Sequence, residues 1–170
     1  MFPGSSLREL SARRVDAPLG LLKGVSGLTM DAARTADPGA PMTERDRRLP
    51  GEIRRRVRGY LHLRDLDRRL VEAAEVVVTE LVTNTLQHGP DSNSGFGVCL
   101  WPLGDRIYME IGNGDRQGQS FCSWGVAAVA ATDLREDSRG LLLVAGLADA
   151  WGTTTDGAGT WCVLSVTADQ

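Results

Sequence analysis

Glu80, Asn84 and His88 stand at four-residue steps in the run Glu80-Leu81-Val82-Thr83-Asn84-Thr85-Leu86-Gln87-His88. In a helix such steps fall close to one line, so a carboxylate, an amide and an imidazole share a ridge. Val77, Val78, Leu81, Val82 and Thr85 cover the neighbouring faces and can enter a core. Three such groups in a row suit a Mg-phosphate site. A polar ridge on an amphipathic helix is most often its solvated side. Asn, however, costs roughly half a kcal/mol relative to Ala in a helix interior, which tilts the row toward function.

The rest of the chain bounds what this row can serve. A chain of 170 residues, 42% hydrophobic and 24% charged, fits one soluble domain with its own core. No apolar run approaches the roughly 20 residues that a membrane-spanning helix needs. Met1-Phe2-Pro3-Gly4 lacks the basic-then-apolar order of a signal peptide, so a cytoplasmic protein with no membrane contact is expected. Cys99, Cys122 and Cys162 are isolated and suggest neither a disulfide framework nor a CxxC site; Cys99 and Cys162 read as buried strand residues. With only His62 and His88 in the chain, a structural transition-metal site is unsupported.

The net charge of -3 gives no general pull toward nucleic acid. Arg45, Arg47, Arg48, Arg54, Arg55, Arg56 and Arg58 are nevertheless crowded together. They suit phosphates or an acidic partner, or form a solvated helix face whose stems shield the core. No aromatic residue interleaves with them before Tyr60, which counts against single-strand binding, and no direct nucleic-acid contact is expected.

Residues 1–41 show no sustained periodicity and end in the linker-like Ala36-Asp37-Pro38-Gly39-Ala40-Pro41, so they read as a flexible N-terminal extension, with a short helix at Ser5 to Arg14. The domain proper is placed at 42–170. Arg45 to Leu49 reads as an edge strand stopped by Pro50-Gly51, followed by a helix from Glu52 to Leu61 striped by Ile53, Val57, Tyr60 and Leu61. A second helix spans Asp67 to His88 and stops at Gly89-Pro90. Phe96 to Trp101 and Ile107 to Ile111 alternate as an antiparallel hairpin about Pro102-Leu103-Gly104-Asp105. Ala150 to Thr154 and Thr160 to Val166 form another about Asp156-Gly157-Ala158-Gly159. Between the hairpins lie a helix, Gly140 to Ala148, and the long segment Gly114 to Ser138, which has the length of a lid and a helical patch at Ser123 to Thr132. This order predicts an α/β (α+β) two-layer sandwich, a mixed and mostly antiparallel sheet packed on about three helices.

From Arg45 to Val166 these residues resemble the GHKL ATP-binding fold of histidine kinases and DNA gyrase, and most nearly the serine/threonine kinases that act as anti-sigma factors. Three places carry the resemblance. Glu80-Leu81-Val82-Thr83-Asn84 with His88 looks like the family's N-box. Glu110-Ile111-Gly112-Asn113-Gly114-Asp115 lies where its first glycine box belongs, and Ser138-Arg139-Gly140-Leu141 before Ala150-Trp151-Gly152 looks like its second.

The resemblance implies ATP and Mg as cofactors. Asn84 would coordinate the Mg that bridges the phosphates and Glu80 would polarise the attacking hydroxyl. One amide oxygen beside phosphate oxygens and waters is ordinary Mg ligation, and Glu80 needs only hydrogen-bond reach to the nucleophile. His88 stands where relatives often carry a basic residue, as a phosphate contact or a helix-ending cap. Arg139, Gly140 and Leu141 open a helix where free N–H groups and the dipole favour phosphate. Thr160 is placed at the adenine end.

Two departures leave a second function open. Asn113 stands where ATP-binding relatives usually have Asp, with Asp115 the nearest carboxylate to replace it, and Ser138 replaces a glycine. The expected function is therefore an ATP-binding regulatory serine/threonine kinase of the anti-sigma type, acting on a small antagonist protein and sequestering a sigma factor. The alternative is a protein-binding module on the same fold that binds nucleotide weakly or not at all. A homodimer is implied by the resemblance alone.

Overall fold

Thr43 and Asp46 decide where the first helix begins. The Thr43 hydroxyl accepts from the Asp46 N–H at 3.1 Å and the Asp46 carboxylate accepts from the Thr43 N–H at 2.9 Å, a reciprocal capping box. In the computed structural model, which describes residues 27–37, 39–89, 95–113, 139–153 and 159–166, helix α1 consequently spans Glu44–His62. The edge strand expected at Arg45 to Leu49 does not exist. Pro50-Gly51 does not stop the chain either, because Pro50 lies inside the helix and is buried with Ile53, Val57 and Leu61. Asp46 also accepts from the Thr35 N–H at 2.7 Å, the Thr35 hydroxyl at 2.8 Å and the Ala36 N–H at 3.1 Å, tying the preceding segment to the helix start. Burial alone would raise this carboxyl; the hydrogen bonds from Thr35 and Thr43 more than reverse that and hold it well below the usual carboxylate range.

Helix α2, Arg68–His88, starts where Asp67 accepts from the Arg69 N–H at 2.7 Å and ends at Gly89, close to the expected bounds. Gly89 is needed for closeness rather than for a left-handed backbone. Its N–H donates to the Thr85 carbonyl at 2.9 Å, and an added Cβ would collide with that same oxygen. Arg58 of α1 grips Glu75 of α2 with two nitrogens, one at 2.6 Å, which fixes the two helices side by side.

The sheet is built from β1 (Leu28–Ala32), β2 (Phe96–Leu103), β3 (Arg106–Asn113), β4 (Ala150–Thr153) and β5 (Gly159–Ser165) in the order β1-β2-β3-β5-β4. All four pairings are antiparallel. Both expected hairpins form, the first about Gly104, whose φ of 68° suits the first position of a tight two-residue turn. Strand β1 falls within the stretch read as extension, so residues 28–32 belong to the sheet. The third helix, α3 (Arg139–Leu147), packs on α2 and β4. The two-layer sandwich of sheet on three helices is thus the architecture of the described residues.

The core lies between the layers. Met30, Val98, Leu100, Ile107, Met109, Ile111, Cys162 and Leu164 meet Leu70, Val77, Val78, Leu81 and Val82 of α2 and Val144 of α3. Full burial pushes the Cys162 thiol up to about 12, which keeps it unreactive. Cys99 is likewise a buried strand residue, but it is disulfide-bonded, its partner lying outside the described residues, so the reading of isolated cysteines fails there. The readings made for Ser5 to Arg14, for the segment from Gly114 to Ser138 with its patch at Ser123 to Thr132, and for Asp115 also lie outside the described residues. No helix among the described residues is long and apolar enough to cross a membrane.

Candidate functional site

Helix α2 positions the row. Its buried stripe, Val77, Val78, Leu81 and Val82, turns Glu80 and Asn84 to a half-buried side, while His88 ends exposed in the last turn. The threonines beside them are occupied: Thr79, Thr83 and Thr85 donate to carbonyls one turn back at 2.7, 2.7 and 2.9 Å. No hydrogen bond to another described residue engages the side chains of Glu80 or Asn84. Two polar heads are therefore held at the edge of the core by their helix alone, open to a ligand.

Helix α3 brings the second component. A Cβ added to Gly140 would lie 3.3 Å from Glu80 Cδ and 3.4 Å from Glu80 Cβ, and closer still to Oε2. The absence of a side chain at Gly140 lets the start of α3 sit directly against the Glu80 carboxylate, which would have to turn aside for a Cβ. Arg139 is exposed beside it, and Leu141 is half-buried and packs against the core. The first N–H groups of a helix have no partner within it and carry the positive end of its dipole, so a proton acceptor here borders an anion-attracting surface.

The sheet places the remaining residues. Antiparallel register sets Gly112 opposite Gly159 and Ile111 opposite Thr160, with Thr153 on the other side of Thr160. Asn113 closes β3, opposite Phe96. The last turn of α3 closes with Ala148 N–H donating to Val144 O at 2.8 Å, and the connection beyond it reaches β5, where Asp149 N–H donates to Val163 O at 2.9 Å. The short connection from α3 to β4 makes the two run in opposite directions. The start of α3 therefore points toward the sheet end that carries Gly112, Asn113 and Thr160. Glu80, Gly140 and Leu141 come together, Asn84 follows one turn along the same helix, Thr160 and Asn113 lie at the same end of the sheet, and His88 stands two turns beyond Glu80 at the rim.

Residues not foreseen from the sequence surround Glu80 on its other side. Arg54, Glu72, Glu75, Val76, Thr79 and Glu80 line a cleft of about 300 Å³. Val76 is 39% exposed, unusual for a valine in mid-helix. The signal was present as a second stripe at helical spacing, Glu72, Val76, Thr79 and Glu80, on the solvent side of α2. Arg54, from α1, could be placed there only by the packing of the two helices. Among the described residues no group of three or more His, Cys, Asp or Glu side chains could hold a metal ion by itself.

No curated protein matches the chain. Among solved structures, it is similar to the RsbU and RsbW domains of a Mycobacterium tuberculosis protein, with a TM-score of 0.51 and 17% identity, over 82% of this chain and 32% of that one. The chain spans about a third of that chain's length, and a likeness at this identity is one of fold. The histidine kinase-like ATPase domain matches residues 42–166, most of the chain's length and all of the elements that carry Glu80, Asn84 and Gly140. With the glycine-opened helix set on a Glu and Asn row over an antiparallel sheet, this chain belongs to the histidine kinase-like ATPase family.

Proposed function

We propose that the chain is an ATP-binding regulatory serine/threonine protein kinase of the anti-sigma factor type, which phosphorylates a small antagonist protein and sequesters a sigma factor. The observation that carries this reading is the seating of Gly140 against Glu80, a proton acceptor beside a helix start suited to phosphate. The likeness of fold to a structure containing an RsbW domain supports the regulatory class. Cytoplasmic location and a homodimer are part of the same proposal.

The residues present fit Mg-ATP. A Cβ at Gly140 would meet the Glu80 side chain, so the start of α3 lies beside the proposed proton acceptor, and Arg139, Gly140 and Leu141 would offer their backbone N–H groups to phosphate oxygens there. Asn84, half-buried and without a hydrogen bond to another described residue, offers one amide oxygen to Mg, the rest of whose shell would be phosphate oxygen and water. Asn113 and Thr160, at the same end of the sheet, would serve the adenine end, with Asp115 as a further acceptor, and His88 the rim. Bound Mg supplies neutralisation of the charge on the transferred phosphoryl group. Glu80 takes the proton of the acceptor hydroxyl as its oxygen bonds to the γ-phosphorus and the bond to the β-phosphate oxygen breaks, leaving ADP. The cleft lined by Arg54, Val76 and Thr79 gives the acceptor its approach to Glu80.

Incubation with labelled Mg-ATP and candidate antagonist proteins is the direct test. Transfer to Ser or Thr is expected, falling by about 10² or more in Glu80→Ala. Absence of transfer, or transfer undiminished by that change, contradicts the kinase reading. Asn113 favours a second reading, a binding module with weak or no use of nucleotide, because an amide lacks the charge-assisted acceptor strength of Asp. Titration calorimetry separates the two, since the module reading fails if Mg-ATP binds at micromolar affinity and Asn84→Ala abolishes it.

A further inference from the structure

The cleft beside Glu80 has a charge balance that phosphoryl transfer does not use. Of the carboxylates lining it, Glu75 is gripped by two nitrogens of Arg58 from α1, and Glu72 is paired with Arg68 one turn back at 2.7 Å. Both are compensated. Arg54 lines the same cleft, is exposed, and makes no hydrogen bond or ion pair with another described residue. The short connection 63–67 returns the chain from α1 to α2, and Arg58 meets Glu75. Arg54, one turn before Arg58, therefore lies toward Thr79 and Glu80. Val76 stands one turn before Glu80, about 6 Å along the helix axis, and its 39% exposure adds an apolar surface to the cleft. Thr79 spends its hydroxyl proton on Glu75 O at 2.7 Å, so it lines the cleft as an acceptor.

We propose that this cleft selects the acceptor by taking an acidic protein segment: its carboxylate pairs with Arg54, an apolar side chain covers Val76, and its Ser or Thr hydroxyl reaches Glu80. The transfer step rests on the kinase reading, with the hydroxyl oxygen taking the γ-phosphoryl group as its proton passes to Glu80 and ADP leaves; the docking does not. A guanidinium offers a carboxylate two parallel N–H donors, so Arg54 fixes the direction of the segment as well as holding it. An extended chain advances about 3.3 Å per residue, which places the carboxylate within about three residues of the hydroxyl. A basic segment is disfavoured, because Arg58 and Arg68 already occupy the glutamates that would attract it and Arg54 repels it.

The test reads binding and transfer separately. Dye-labelled peptides with a central Ser, a neighbouring Leu and, within about three residues of the Ser, an Asp, Asn or Lys are titrated into the full chain and followed by fluorescence anisotropy. The same peptides are then offered labelled Mg-ATP. The Asp peptide should bind about tenfold more tightly than the Asn peptide, and Arg54→Glu should invert the order so that the Lys peptide binds best. Equal binding of the Asp and Asn peptides by the wild type overturns the proposal. So does an order unchanged in Arg54→Glu, or a loss of affinity there that is the same for all three peptides, as a merely structural role would give. Charge-dependent binding with no transfer to any peptide upholds the cleft and contradicts the kinase reading, whereas transfer indifferent to Asp, Asn or Lys does the reverse. Should Arg54→Glu fail to fold, Arg54→Gln is read in its place: loss of the preference for Asp supports the cleft and its retention refutes it.

Discussion

The two faces of the sheet differ in composition as sharply as in their neighbours. The inner face is aliphatic, with Val98, Leu100, Ile107, Met109, Ile111 and Leu164 against the helices that hold Glu80 and Gly140. The outer face is aromatic with polar tips, Trp101, Tyr108 and Trp161 around Glu110, and no described helix touches it. Aliphatic side chains interlock with helix stripes and position a site to within a fraction of an ångström. Aromatic rings bury large areas against a less regular cover, and burial with the neighbouring Glu110 carboxylate pushes the Tyr108 hydroxyl well above its usual range, so it stays a hydrogen-bond donor. The inner face positions the proposed site, and the outer face buries aromatic area that the site does not use.

Measurements on matched variants can break or sharpen this contrast. Leu100→Ala should cost about 3 kcal/mol in urea unfolding, through lost burial and a residual cavity. Trp161→Ala should cost about as much, since it removes the ring stacked on Tyr108 and the indole N–H donated to Thr153 O. A cost for Trp161→Ala far below that of Leu100→Ala would show that the outer face contributes little to stability.

Asp46→Ala comes next, at about 2 kcal/mol, since it removes the capping box and leaves three further donors without their acceptor. The sign with pH follows from the lowered folded-state value. Stability contributed by Asp46 is complete above its ordinary value of 3.8 and is lost as pH falls below it. The gap between wild type and Asp46→Ala should therefore narrow on acidification, and a gap constant from pH 7 to 2 would contradict the assignment. Tyr108→Phe should cost about 1 kcal/mol, because Glu110 Oε2 loses a buried donor. Gly140→Ala should change stability least, by well under about 1 kcal/mol, since gained helix propensity offsets crowding against Glu80. Its effect should appear in ligand affinity.

Much of this was legible in the sequence. The Glu80 and Asn84 row, both hairpins, the end of α2 at His88 and the layer order follow from period and turn chemistry. What was not legible has specific causes. Pro50-Gly51 reads as a stop, but the Thr43 and Asp46 capping box sets the helix eight residues earlier and the proline is absorbed by burial. Strand β1 shows the expected alternation, Leu28, Met30 and Ala32 against Thr29 and Asp31, yet five residues inside an unpatterned segment are too few to stand out without their partner β2. The contact of Gly140 with Glu80 joins positions far apart in the chain, and Arg54 reaches the cleft only because Arg58 and Glu75 lock α1 to α2. Alternation set Trp101 and Tyr108 apart from the core residues of their strands, but that Trp161 joins them on one face follows only from the pairing of β3 with β5.

The central claim is that Glu80, Asn84 and the start of α3 form one phosphate site. Calorimetric titration of Mg-ATP into the wild-type chain, Asn84→Ala and Gly140→Ala tests it most directly. The account predicts micromolar, Mg-dependent binding to the wild type, abolished in Asn84→Ala and weakened at least tenfold in Gly140→Ala, with all three proteins equally folded. No binding to the wild type, or equal binding to all three, would contradict it.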